Sequence, residues 1–126
     1  MISWIYVFIG GGLGSILRYV LAQRFNQISQ ECLSFPIGTG MANIISCFIL
    51  GILMAKQGSE SLSSSHSLLF ATGFCGGFST FSTFIYEMYV YMQKDQLLLG
   101  IGYVSLSFIL GVIMLWVGIK FHQNVL

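Results

Sequence analysis

GFCGGFSTFSTF, running from Gly73 to Phe84, sets paired glycines, hydroxyls and phenylalanines inside a segment apolar enough to enter a bilayer. Hydrocarbon penalises unpaired backbone groups and isolated hydroxyls. A break at Gly76-Gly77 followed by Ser79, Thr80, Ser82 and Thr83 is therefore expected to be buried against protein or to line a polar path. A helix that only packs has no need of that mixture.

The rest of the chain supplies the membrane context. Its 126 residues are 56% hydrophobic and 7% charged, with mean hydropathy +0.85, whereas soluble domains carry about 25% charged residues. Four apolar windows, Trp4 to Ala22, Ile37 to Ala55, Leu68 to Met92 and Leu97 to Ile119, are each long enough to cross the roughly 30 Å of hydrocarbon. The expected fold is an all-α membrane protein of four spans, the third broken near Gly76-Gly77, forming a single domain over residues 1–126. Residues 1–17 carry no charge and run directly into Arg18, unlike a cleaved leader, so the first span is expected to be retained. The connections are short: Gln23 to Pro36 holds the only proline, Lys56 to Ser67 is serine-rich, and Gln93 to Gln96 is a polar hairpin. There is no internal repeat, so any symmetry must come from a second copy.

With four spans both termini share a side. Lys56 and Lys120 on that side balance Arg24 and Lys94 on the other, and Arg18 tips the count slightly. Orientation follows the Lys/Arg bias of short loops, so this balance predicts insertion both ways.

Few groups are suited to covalent or metal chemistry. Cys32, Cys47 and Cys75 are odd in number and lack ligand spacing; they read as small apolar packers. His66 and His122 are far apart, and neither is assigned to chemistry. Of the acids Glu31, Glu60, Glu87 and Asp95, only Glu87 falls within a span.

Polar stripes within the spans carry more information. Thr39, Asn43, Ser46 and Cys47 share a face of the second helix, Ser79, Ser82 and Thr83 form a row on the third beside Phe78, Phe81 and Phe84, and Tyr103 aligns with Ser107 on the fourth. One reading makes the hydroxyls and amide interhelical glue; the other makes them an ion path. Their density beside the glycine break favours the path. Hydroxyls, an amide and electropositive ring edges are donors, which suits a small hydrated anion. Arg18 would add a cationic field or anchor its helix at the interface. Glu87 opposes an anion, so it belongs at a watery mouth or paired with a base or hydroxyls.

GGGLGSILRY in the first span, GTGMANIISCFILG in the second and GFCGGFSTFSTF in the third, in this order, strongly resemble the bacterial fluoride channels of the Fluc family. The resemblance covers nearly the whole chain. It implies a dual-topology homodimer in the cell (inner) membrane, two inverted subunits framing two fluoride pores that export cytoplasmic fluoride. It assigns Phe81 and Phe84 as pore phenylalanines, Asn43 as an amide donor, Ser82 and Thr83 as a hydroxyl track, and Tyr103 and Ser107 as the fourth helix's contribution. Arg18 matches a first-helix arginine and Glu87 a glutamate near the mouth. It also implies one structural Na+ at the dimer centre, held by backbone carbonyls of Gly76 and Ser79. Two positions depart from the pattern: Ser46 stands where glycine is frequent three residues after the asparagine, which bears on helix packing, and Gly111 lies where a further serine of the polar track is expected, leaving Tyr103 and Ser107 to supply that helix's share.

Other classes make different demands. A four-helix multidrug exporter would need a carboxylate deep in the first span, and residues 1–17 have none. A noncatalytic assembly subunit would use the stripes for packing alone and pass no ions. An enzyme would need a nucleophile with a base, or a metal cluster, and neither pattern is present.

Overall fold

The computed structural model describes residues 2–32, 35–59 and 62–125, with side chains for 2–27, 35–59 and 62–124. Glu60 and the side chains of Glu31 and Cys32 lie outside the described residues. Among the described residues every regular element is helical: α1 (Ser3–Cys32), α2 (Ile37–Gly58), a composite α3, α4 (Phe81–Gln93) and α5 (Leu97–Val125). α3 opens as one α-turn (Ser64–His66), widens into a π-helical stretch (Ser67–Cys75) and closes with a last α-turn (Gly76–Phe78). Four segments are long and apolar enough to cross a membrane: Ser3–Gln27, Ile37–Gly58, Ser64–Gln93 and Leu97–Asn124. They match the four expected spans.

α1 continues well beyond the expected edge at Ala22 because nothing between there and Cys32 stops a helix; the first proline is Pro36. Pro36 stands at the start of α2, where it has no side chain to cap the first turn. Asn26 supplies the cap from α1, its Oδ1 accepting the Gly38 N–H at 2.7 Å. At the other hairpin Asp95 takes a left-handed φ of 55°, and Gln96 N–H closes back on Tyr91 O at 2.9 Å, which ends α4 and turns the chain into α5.

Glycines set the helix spacing. A Cβ on Gly10 or Gly14 would collide with the carbonyls of Leu69 or Phe74, and one on Gly77 with the carbonyl of Gly11, so α1 and α3 meet backbone to backbone. α2 and α5 meet the same way through Gly51 and Gly118. Lipid tails offer helices no hydrophobic reason to associate, and close small-residue contact supplies van der Waals attraction instead. Large apolar side chains point outward, among them Trp4 and Phe8 on α1 and Leu98 and Phe108 on α5. Hydrocarbon accepts such a surface readily, and water does not.

The break expected near Gly76-Gly77 falls two residues later. Gly76 is still helical (φ −65°, ψ −34°), and the extended residues are Ser79 (φ −79°, ψ 156°) and Thr80 (φ −150°, ψ 122°). Glycine permits a break without forcing one, and here Gly77 serves the close approach to α1. What places the break is the cap beyond it: Thr80 Oγ1 accepts the Thr83 N–H at 3.3 Å and starts α4.

Candidate functional site

The site is built around the two extended residues between α3 and α4. Asn43, on α2, grips one peptide there from both sides. Its Oδ1 accepts the Thr80 N–H at 2.7 Å and its Nδ2 donates to Thr80 O at 3.3 Å. The backbone N–H must meet an oxygen, so the amide's orientation is determined, and its second N–H hydrogen stays uncommitted.

Neighbouring carbonyls are claimed in turn. Cys75 O accepts from Ser79 N–H (3.0 Å), Ser79 Oγ (2.8 Å) and Ser46 Oγ (3.1 Å). Gly77 O accepts from Arg18 Nε (3.1 Å) and Ser15 Oγ (3.5 Å). Among the described residues no hydrogen bond reaches the carbonyls of Gly76, Phe78 or Ser79. Arg18 therefore ties α1 to the break. Ser46, buried at 3% exposure, binds the break through Cys75 O. Gly111 faces Cys47, whose Sγ would touch a Cβ built there.

α4 carries the next group of residues. Thr80 Oγ1 donates to Thr83 Oγ1 at 3.2 Å and lies 3.4 Å from Ser82 Oγ. Because the Thr83 oxygen accepts, its own proton is left to point elsewhere. The Phe84 ring packs 5.1 Å from the Tyr103 ring at 51°. Phe81 is 76% exposed and points out of the subunit. One chain thus brings Asn43, Thr83, Phe84 and Tyr103 together and leaves Phe81 and Ser82 on its outside.

Glu87 is held by two hydroxyls from two helices: Thr39 Oγ1 donates to Oε1 at 2.5 Å and Tyr103 donates to Oε2 at 2.9 Å. Bonds to a charged acceptor are about twice as strong as neutral ones, and they disperse its charge. Glu87 also lines a cavity of 580 Å³ together with Thr83, Asn26 and Lys94. Of the two settings expected for Glu87, the hydroxyl partners are the one its hydrogen bonds provide. The Tyr103 proton is committed to Glu87, so this phenol acts through the carboxylate and through its ring. Ser107 lies beside Gly40, where a Cβ would be in ordinary contact with its hydroxyl and with the Tyr103 ring.

Two residues here were named among the polar positions of the sequence but not assigned to the site. Thr39 stands on the same stripe as Asn43, one turn earlier, and only the fold reveals that its partner is Glu87. Thr80 is of a residue type favoured at a helix N-cap, and only the fold shows that its hydroxyl takes the Thr83 N–H.

Among the described residues no His, Cys, Asp and Glu cluster could hold a metal. The open carbonyls are the group that fits a hard cation, and Gly76 and Ser79, the two positions the resemblance implied for Na+, are among them.

Comparison with known proteins agrees with this architecture. Residues 5–119 match the family described as CrcB-like protein, Camphor Resistance (CrcB). The chain is 40% identical to a fluoride-specific ion channel FluC of Gloeothece citriformis, with 94% of this chain and 95% of that one covered. It is 36% identical to a protein of the same name from Flavobacterium psychrophilum (90% and 91% covered) and 38% identical to one from Francisella philomiragia (96% and 95%). With four crossing helices and relatives that are channels over the same length, this is a multi-pass membrane protein. The chain belongs to the CrcB-like protein family.

Proposed function

We infer that this chain is the subunit of a passive, fluoride-selective channel that lets cytoplasmic fluoride leave across the cell membrane. It is a transporter and not an enzyme, in keeping with relatives that are fluoride-specific ion channels along nearly the whole chain. The observation that carries the geometry is that one break exposes two helix ends of opposite character. α3 ends in open carbonyls, and α4 begins with backbone N–H groups flanked by the Ser82 and Thr83 hydroxyls. A helix N-terminus favours an anion and a C-terminus a cation.

Along the α4 side, fluoride exchanges water for donors in sequence: the second amide hydrogen of Asn43, the hydroxyls of Thr83, Ser82 and Ser107, and the ring edges of Phe81 and Phe84. Several weak contacts let the ion move on, where one strong site would trap it. Chloride is excluded because a narrow donor track cannot widen for a larger ion. Each oxygen of Glu87 accepts from a hydroxyl, which disperses the charge that would oppose the anion.

A single chain does not enclose this path, with Phe81 open to the outside. An inverted second copy closes it, giving two pores per antiparallel homodimer in lipid, and the even charge of the two sides supports insertion in both orientations. At the centre of that pair the carbonyls of Gly76 and Ser79 from both copies would hold Na+. When bound, the ion supplies a hard positive charge that gathers carbonyl oxygens without an acidic side chain.

The test is efflux from proteoliposomes loaded with fluoride and chloride and read with ion-selective electrodes. Release of fluoride without chloride is expected. Purified protein that releases no fluoride would sink the reading.

A further inference from the structure

α2 holds the break at two points. Ser46 and Asn43 lie three residues apart on one face of that helix. Ser46 reinforces the last closed rung of α3, the Ser79 N–H bond to Cys75 O. The next rung would run from Thr80 N–H to Gly76 O. It does not form, because Asn43 Oδ1 takes the Thr80 N–H at 2.7 Å. From the other side Arg18 and Ser15 occupy Gly77 O. The carbonyl between these claimed neighbours is left without a donor, and a Cβ added at Gly76 would meet nothing within 4 Å.

We propose that Asn43 is a positioning residue for the central cation: by capturing the Thr80 N–H it denies Gly76 O its helical donor and keeps that carbonyl open for Na+. This role rests on the cation proposed above and is separate from the amide's contact with fluoride, since it uses Oδ1 and the anion would use a hydrogen on Nδ2. One side chain thereby links the assembly of the pair to its conduction. An apolar side chain of equal size at position 43 frees the Thr80 N–H to bond Gly76 O, closing the rung and competing with the cation.

The experiment measures the dimeric fraction of the purified full-length protein in detergent as Na+ is replaced by N-methylglucamine, for the unaltered chain, Asn43→Leu and Phe84→Ile. The expected result is that Asn43→Leu needs about tenfold more Na+ for half-assembly, while Phe84→Ile, which leaves the Thr80 peptide alone, keeps the original midpoint. An unchanged midpoint in Asn43→Leu, beside a Na+-dependent unaltered chain, overturns the role of Asn43. An unaltered chain indifferent to Na+ overturns the cation reading itself, and this role with it. If Asn43→Leu does not assemble at all, the carbonyl 13C resonance of Gly76 decides, compared between Asn43→Leu and the unaltered protein, both without Na+. A hydrogen-bonded shift at Gly76 in the variant, with Cys75 still, supports the proposal; the same Gly76 resonance in both rejects it.

Discussion

Tyr103 donates its phenolic proton to Glu87 across the α4–α5 interface at 2.9 Å, and the ring that carries this hydroxyl packs against Phe84. The carboxylate and the Phe84 ring are thus braced by one side chain. Tyr103→Phe separates the two roles, because the ring stays and the donor goes. Loss of a hydrogen bond to a charged group costs about 1.5–3 kcal/mol. The expected outcome is a lower melting temperature in detergent and fluoride efflux slowed without loss of selectivity. Efflux at the unaltered rate would show that the phenol is not needed to hold Glu87.

Phe81→Ile and Asn43→Asp address the path directly. The first removes an electropositive ring edge, and the second replaces a donor by a negative charge beside the anion's route. Each is expected to abolish or sharply reduce fluoride efflux from liposomes while the protein still elutes as a dimer. Undiminished flux in both would remove these residues from the pore.

Adjacent glycines make opposite predictions. A Cβ at Gly77 collides with the Gly11 carbonyl, so Gly77→Ala overpacks the α1–α3 contact and is expected to cost about 1–3 kcal/mol. A Cβ at Gly76 meets nothing within 4 Å in its own subunit. Gly76→Ala is expected to fold with helical content unchanged and to lose dimer, since in the proposed pair the space it fills is where the second copy's carbonyls would approach. Circular dichroism with light scattering separates the two outcomes. A Gly76→Ala protein that dimerises normally would place the subunit contact elsewhere.

Ser46→Ala removes one of three donors to Cys75 O and leaves both from Ser79. The expected destabilisation is about 1 kcal/mol, read as a small drop in melting temperature, with fluoride flux preserved. A large loss of flux would mean that α2 holds the break mainly through Ser46.

Composition and window length were sufficient for four spans, because a bilayer imposes a length and an apolarity that few alternatives satisfy. The stretch from Gly73 to Phe84 also announced an interrupted third helix, since hydroxyls and glycines at that depth need protein or a polar path around them. Local sequence could not locate the break itself. Paired glycines mark where a helix is allowed to stop, yet Gly76 and Gly77 stay helical, and the chain opens at Ser79 and Thr80, where Asn43 from another helix takes the next N–H. Nor could spacing reveal that Thr39 and Tyr103, on α2 and α5, converge on Glu87. Periodicity assigns a residue to a face of its own helix, while the partner across the interface depends on how closely the glycines let two backbones approach. The residue types and their order were therefore decided by the sequence alone. Which carbonyls are occupied and which are left open was decided by tertiary contact, because the Thr80 N–H finds a competing acceptor in Asn43 on α2, while side-chain donors from α2 and α1 reach the carbonyls of Cys75 and Gly77.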